Sequence, residues 1–112
     1  MSRYLAIFKG SASDEQKQAI SPEQRQAFLA AWGGWAQSHA SALVDPGAPL
    51  FRKRVVTKDG DAEFTDSKTG YAIVEADSHD AAVAMFAEHP HLTLIAGNAI
   101  EVIECPTVPG LG

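Results

Sequence analysis

The chain has 112 residues, the size of one small domain, and Leu, Ile, Val and Phe supply 25 of them, about 22%, which is enough for a folded core. Its net charge of −5 and pI near 5.2 argue against the broad basic surface that nucleic acid binding requires. A single cysteine excludes an internal disulfide, and no apolar run approaches the roughly 18 residues that cross a bilayer. We therefore expect a cytoplasmic protein whose partners include neither nucleic acid nor membrane.

The N-terminal part predicts a strand, a loop and a capped helix. Residues 3–9 would place apolar side chains on both faces of a strand, which is typical of a strand covered on both sides. The polar segment 10–20 predicts a surface loop with at most one helical turn. Ser21, Pro22 and Gln24 then form a capping-box pattern that begins a helix.

The predicted helix has an aromatic stripe. Its members recur at spacings of four, three and four: Phe28, Trp32, Trp35 and His39, with Leu29 and Ala36 alongside. Two glycines, Gly33 and Gly34, stand between the tryptophans at a cost of roughly 1 kcal/mol each relative to alanine. We expect either a close approach of backbone or ligand at these glycines, or the end of the helix.

The middle of the chain predicts a turn, a strand and a hairpin. Segment 43–50 contains Asp45, Pro46, Gly47 and Pro49 and predicts a turn or an irregular extended segment. A strand follows at about 51–57, and Asp59-Gly60 predicts a hairpin that returns through 62–65. This hairpin is expected to project from the core.

The C-terminal part predicts a strand at 71–76, a helix and a last strand at 99–105. Asp77 or Ser78 caps the helix, and Pro90 ends it at Glu88 or His89. Its inward stripe is predicted to hold Val83, Phe86 and Ala87. In the last strand, Cys105 is expected to be a buried small hydrophobe, and 106–112 to be a loose tail.

The order of these elements is βαββαβ with an elaborated central hairpin, which indicates an α+β protein of the ferredoxin-like, split βαβ class. We assign 1–105 to a single domain. Two helices cover only one face of the sheet, yet two of its strands are apolar on both faces. The open face therefore predicts a homodimer.

Six segments form a combination that covers most of the chain: YLAIF at 4–8, AWGGW at 31–35, ALVDPGAPL at 42–50, GYAIVEAD at 70–77, EHPHL at 88–92 and IEVIE at 100–104. In this order they resemble a bacterial branch of the YCII-related family, also called the DGPF-domain family. The resemblance implies ferredoxin-like subunits that pair into dimeric α+β barrels.

Two family features are absent from this sequence. The segment Thr65-Asp66-Ser67-Lys68 stands in place of a DGPF tetrapeptide. Some relatives pair a histidine on the first helix with an aspartate in an Asp-Pro step, but here that histidine is missing and the step reads His89-Pro90. The resemblance therefore implies no catalytic His/Asp dyad for this chain.

Candidate ligand-binding residues are Trp32, Trp35, His39 and Tyr71. The tryptophans offer large rigid surfaces for an apolar or aromatic molecule, with His39 one turn further along the stripe. The alternative is that they fill the core or a dimer interface.

Candidate catalytic residues are His89, His91 and Asp66. Histidine titrates near neutral pH and suits proton transfer, and the two histidines would point the same way in an extended segment. The alternative is a helix-exit turn with solvated imidazoles. Asp66 is either a carboxylate base on a folded loop or a turn residue bonded to its own backbone.

Basic residues concentrate at Arg52, Lys53 and Arg54, where they form either an anion-binding face or a charged edge strand. No spacing supports a metal site, and nucleotide-binding and acyl-serine motifs are absent, so we expect no metal and no organic cofactor.

Three functions remain open on the sequence alone. The first is a dimer that binds a small apolar or aromatic molecule and could catalyse proton transfer or elimination through a histidine. The second is a non-catalytic sensor or accessory module. The third, suggested by shared architecture only, is a cofactor-free oxygenase or haem-degrading protein.

Overall fold

A computed structural model describes residues 1–10 and 14–110. The predicted loop at 10–20 and the predicted tail at 106–112 lie partly outside these described residues. The elements in chain order are β1 (Ser2–Lys9), α1 (Asp14–Gln18), α2 (Pro22–Ser38), β2 (Leu43–Pro49), β3 (Lys53–Thr57), β4 (Gly60–Phe64), β5 (Lys68–Ala76), α3 (His79–Ala87), α4 (His91–Leu94) and β6 (Ala99–Cys105).

Four strands form one antiparallel sheet in the order β2-β5-β1-β6. When the hairpin β3–β4 is set aside, this order is that of the ferredoxin-like βαββαβ fold, which confirms the predicted α+β class. The hairpin forms a separate two-stranded sheet, inserted between β2 and β5.

The helix α2 begins where the sequence predicts. The Ser21 hydroxyl accepts from the Gln24 N–H at 3.0 Å, while the Gln24 side chain accepts from the Ser21 N–H at 2.9 Å. The helix continues through Gly33 and Gly34, and a Cβ at either position would meet nothing within 4 Å. The glycines therefore mark neither a close backbone approach nor a helix end.

The core lies between the helices and one face of the sheet. The buried apolar residues of β1 and β5 alternate with half-buried ones, as expected for strands with one face on the core. Against them pack Trp35 of α2 and Ala82 and Phe86 of α3. Ser78 caps α3 by accepting from the Ala81 N–H at 3.0 Å, which confirms one of the two predicted caps.

The opposite face of the sheet is uncovered by the described part of the chain. Register places Leu5 between Ile73 on β5 and Ile103 on β6, and Ile7 opposite Tyr71. The ion pairs Arg3–Glu75 and Lys9–Glu101 stand at its two ends. We call this surface, defined by Leu5, Ile7, Ile73 and Ile103, the open face.

Segment 43–50, predicted as a turn or an irregular extended segment, is the edge strand β2, whose pairing with β5 is interrupted by two register shifts. Two other local predictions are wrong. Cys105 is exposed because it ends β6 on the uncovered side of the sheet. On α3, Val83 and Ala87 face outward, and the buried residues are Ala82 and Phe86.

Candidate functional site

A cavity of about 660 Å³ lies between α2, the ends of β1, β2 and β5, and the segment that contains α4. Its apolar wall includes Phe8, Phe28, Trp32, Leu94 and Ile95. This volume falls within the usual range for small-molecule sites, and most of the described lining is apolar, as such sites usually are.

The described lining of the cavity contains no Asp, Glu, Lys or Arg side chain. Its polar residues are Thr69, Tyr71, His91 and Asn98. An ionic group that entered this cavity would lose hydration without gaining a charged partner among these residues. The lining therefore favours an uncharged ligand.

The two tryptophans of α2 have different environments. Trp32 lines the cavity, where its ring lies 5.4 Å from that of Phe28 and 4.9 Å from that of Phe8, centroid to centroid. Trp35 is buried on the core side, where its Nε1–H donates to the Met85 carbonyl at 2.7 Å. Residues three apart on a helix differ by about 60° in direction, which is enough to separate cavity from core here.

His39 does not reach the cavity. It is the C-cap residue of α2, and its ring lies 4.9 Å from that of Trp35. The structure therefore separates the predicted ligand-binding set: Trp32 and Tyr71 border the cavity, whereas Trp35 and His39 lie beside the core. Helical spacing alone gave no means of dividing them.

Tyr71 borders the cavity, but its side chain is committed elsewhere. It pairs with Ile7 in the sheet, and strand alternation places both side chains on the open face. The Tyr71 hydroxyl donates to Asp45 Oδ2 at 3.3 Å.

His91 is the one histidine in the described lining of the cavity. It begins α4, is 6% exposed, and its Nε2 lies 2.9 Å from the Lys9 carbonyl oxygen. Its backbone N–H donates to His89 Nδ1 at 3.0 Å. The side chain is thus held between the end of β1 and the preceding turn.

His89 is a core residue, 1% exposed. Its ring lies within 5 Å of three aromatic rings, centroid to centroid: Trp32 at 4.3 Å, Trp35 at 4.6 Å and Phe8 at 4.9 Å. Burial, and to a smaller extent the nearby His91 and His39, lowers the pKa of His89 to about 4. This imidazole is therefore neutral near pH 7, and it is not part of the described cavity lining.

Asp66 lies at the base of the hairpin and not in the cavity. It accepts from Lys53 Nζ at 2.5 Å and forms an ion pair with Lys68. Hydrogen bonds from these two ammonium groups hold the pKa of the Asp66 carboxyl well below its usual range. The structure does not bring Asp66 together with His91, because the two lysines bind it at the hairpin.

Two of the basic residues at 52–54 form contacts within the hairpin or at its base. Arg54 pairs with Asp61 across the two strands, and Lys53 donates to Asp66 and to the Lys68 carbonyl. The Arg52 guanidinium lies 5.6 Å from the centroid of the exposed Phe51 ring.

Several cavity residues were not identified from the sequence. The Pro46–Pro49 stretch was predicted only as part of a turn or an irregular extended segment, although it borders the cavity. Gly33 also borders the cavity, and a close approach of a ligand was one of the alternatives predicted there. The sequence does not identify Leu94, Ile95 and Asn98, because Pro90 indicates the end of the helical region. A second short helix after a proline has no strong local signal.

Among the described residues, no cluster of three or more His, Cys, Asp or Glu side chains could hold a metal ion. Within the same part of the chain, no helix combines the length and apolar character needed to cross a membrane.

The strand order and the helices on one sheet face define a ferredoxin-like α+β fold, the class that includes dimeric α+β barrels. Among solved structures, the chain is similar to 5-chloro-2-hydroxyhydroquinone dehydrochlorinase (TftG) from Burkholderia phenoliruptrix AC1100, in complex with 2,5-dihydroxybenzoquinone. The TM-score is 0.54 at 18% sequence identity, over 88% of this chain and 90% of that chain. This likeness shows a shared fold. No family model and no curated protein matches the chain.

Proposed function

We propose that this chain is a YCII-related protein that binds a small, uncharged, apolar or aromatic molecule in the cavity between α2 and the sheet. One observation carries the proposal: the described lining combines aromatic walls with an absence of charged side chains. A planar ring would pack on Trp32 and Phe28 without desolvating a charge. The ligand in the structure of the fold neighbour, 2,5-dihydroxybenzoquinone, is a small ring compound with hydroxyl groups, which supports this ligand class.

In the catalytic form of the proposal, His91 is the general acid and base of a cofactor-independent proton transfer. It is the histidine on the cavity wall, whereas His89 is enclosed by aromatic rings and Asp66 is bound by two lysines. Trp32 would hold the substrate ring, so that the reacting proton lies close to the imidazole.

A binding-only function is the second candidate, as a sensor or an accessory module. The imidazole of His91 bonds to a backbone carbonyl, and no carboxylate in the described lining would stabilise its charged form. This arrangement suits recognition as well as proton transfer. Turnover of a bound probe would distinguish the two candidates.

The proposal includes a homodimer in which two open faces pack together. Leu5, Ile7, Ile73 and Ile103 give this surface an apolar centre, and charged side chains stand at its ends. Such a surface is typical of an interface, because burial of apolar area is the main favourable contribution to association. A cytoplasmic location is also proposed, on the sequence alone.

Two glycines of α2 allow a matched test of the cavity. A side chain at either Gly33 or Gly34 meets no atom within 4 Å of its Cβ, but only Gly33 borders the cavity. We expect Gly33→Leu to weaken binding of 2-naphthol at least ten-fold by occupying the ligand's space, and Gly34→Leu to leave binding within two-fold of the original. Isothermal titration calorimetry measures both.

Both variants should fold at least as stably as the original chain, since leucine favours a helix over glycine. Absence of 2-naphthol binding, or equal binding by the two variants, would contradict the proposed site.

A further inference from the structure

We infer that the cavity selects ligands that carry a hydroxyl group, such as uncharged phenols, because His91 presents a free hydrogen-bond acceptor, Nδ1, to the cavity. This inference rests on the proposed function and narrows its ligand class.

The hydrogen bond to Lys9 fixes which nitrogen of His91 carries the proton. A backbone carbonyl oxygen only accepts hydrogen bonds, so Nε2 must donate at the observed distance of 2.9 Å. A neutral imidazole has a single N–H, and the other nitrogen then carries a lone pair. In the neutral side chain, Nδ1 is therefore an acceptor.

This nitrogen is available to a ligand. Among the described residues, no group donates to His91 Nδ1, and the only fully buried side-chain N or O atom without a partner is His89 Nε2. His91 Nδ1 is therefore not fully buried. Since His91 as a whole is only 6% exposed and borders the cavity, we place this lone pair at the cavity surface.

Three contacts fix the orientation of His91. His89 Nδ1 accepts from its backbone N–H at 3.0 Å, and Asn98 Nδ2 donates to its carbonyl at 3.0 Å. The third contact is the bond to Lys9 on β1. A flip of the ring would put the carbon Cε1 in place of Nε2 and lose this bond, and the tautomer with its proton on Nδ1 would set two acceptors against each other, so the neutral side chain has one favoured orientation and tautomer. His89, buried and neutral, thus acts as a positioning residue.

Two hydroxyl groups near the cavity donate to the protein itself. Thr69 Oγ1 donates to the Phe8 carbonyl at 3.1 Å, and the Tyr71 hydroxyl donates to Asp45. Their hydrogens are therefore not directed at a ligand, whereas His91 Nδ1 can receive one. A ligand hydroxyl can donate a hydrogen bond to His91 Nδ1. An ether oxygen at the same position has no hydrogen to donate, so its lone pairs would face that of Nδ1.

The experiment compares two probes of similar size that differ in the donor, 2-naphthol and 2-methoxynaphthalene. Binding is measured by calorimetry at about pH 8, where an ordinary histidine is neutral. We expect 2-naphthol to bind the original chain roughly five- to ten-fold more tightly, the contribution of one neutral hydrogen bond. In His91→Phe, which removes the acceptor and keeps a ring, the ratio should fall to about one.

A second measurement avoids dependence on the folding of that variant. In the original chain, ¹H–¹⁵N correlation spectra of the imidazoles should show His91 with its proton on Nε2, and the Nδ1 signal should shift on addition of 2-naphthol but not of 2-methoxynaphthalene. A proton on Nδ1 would overturn the inference. Equal affinities for the two probes, with binding still blocked by Gly33→Leu, would also overturn it and leave the proposed function intact. Failure of both probes to bind would refute the proposed function itself.

Discussion

His89 and His91 have different environments, although one residue separates them. The sequence suggested both as acids or bases, because imidazole is the side chain suited to proton transfer near neutral pH. Their division depends on partners remote in the chain: Lys9 on β1 holds His91, and the tryptophans of α2 enclose His89. The sequence around positions 89–91 does not indicate these contacts. The two histidines could therefore be selected as candidates from the sequence, but their different roles could not be predicted.

The buried state of His89 predicts a pH dependence of stability. Its pKa is lowered from 6.5 to about 4 on folding, so between these values the unfolded chain binds more protons than the folded chain. The contribution of His89 to the free energy of unfolding should therefore be fully present above pH 6.5 and should decrease as the pH falls toward 4. The contribution of this residue is at most about 3 kcal/mol.

The matched variant is His89→Asn, whose side-chain oxygen can still accept the His91 N–H but does not titrate. Urea unfolding at a series of pH values should give a shallower decrease for His89→Asn than for the original chain. His91 and His39, the other titratable groups close to His89, are present in both proteins, so the difference reports His89. Parallel curves would show that burial does not perturb this residue.

Elements with strong local signals were predicted well. The Ser21 and Ser78 caps, the Asp59-Gly60 turn and the apolar strands β1 and β6 each depend on a few adjacent residues. The sheet pairing of β2 and the presence of α4 were not predicted, because both depend on tertiary contacts. β2 contains two prolines and a glycine and is a strand because β5 offers it an edge, and α4 packs near α2 and β6. Since β2 and α4 both border the cavity, the cavity could not be assembled from the sequence.

Gly47 shows how closely β2 approaches β5. Its φ is +77°, and a Cβ there would lie 1.6 Å from the Tyr71 carbonyl oxygen. We expect Gly47→Ala to lower the free energy of unfolding by about 2 kcal/mol or more, because both the backbone conformation and the contact become unfavourable. Chemical denaturation measures this loss.

Gly60 provides the control for that substitution. It also has a positive φ, +129°, but a Cβ there meets nothing within 4 Å. Gly60→Ala therefore reports backbone strain without the contact, and it should cost less than Gly47→Ala. A Gly47→Ala cost no greater than that of Gly60→Ala would mean that β2 can move away from β5.

The whole molecule is flat, with extents of 48 × 43 × 18 Å and a radius of gyration of 15.8 Å. A compact chain of this length has a radius of gyration of about 13 Å. A single sheet with helices on one face, together with the hairpin beside it, explains the difference. The apolar character of both faces of β1 and β5 was visible in the sequence, so an uncovered apolar face could be expected before the topology was known.

A homodimer through the open face predicts a position-specific effect of charge. Ile103 is 45% exposed in the single chain, so lysine there is tolerated by the subunit but would place a charge in the interface. Sedimentation equilibrium should show a dimer for the original chain and a monomer for Ile103→Lys. The control, Val56→Lys, alters a residue of the hairpin that is 79% exposed and should remain dimeric. A monomeric original chain would rule out the proposed dimer.

The proposal that the cavity between α2 and the sheet is a small-molecule site is tested most directly by a crystal structure of the protein grown with 2-naphthol. We expect the naphthyl ring against Trp32, with its hydroxyl oxygen within hydrogen-bond distance of His91 Nδ1. A ring bound beside the hairpin, in the groove that contains Phe51 and Phe64, with the cavity between α2 and the sheet empty, would contradict the proposed site.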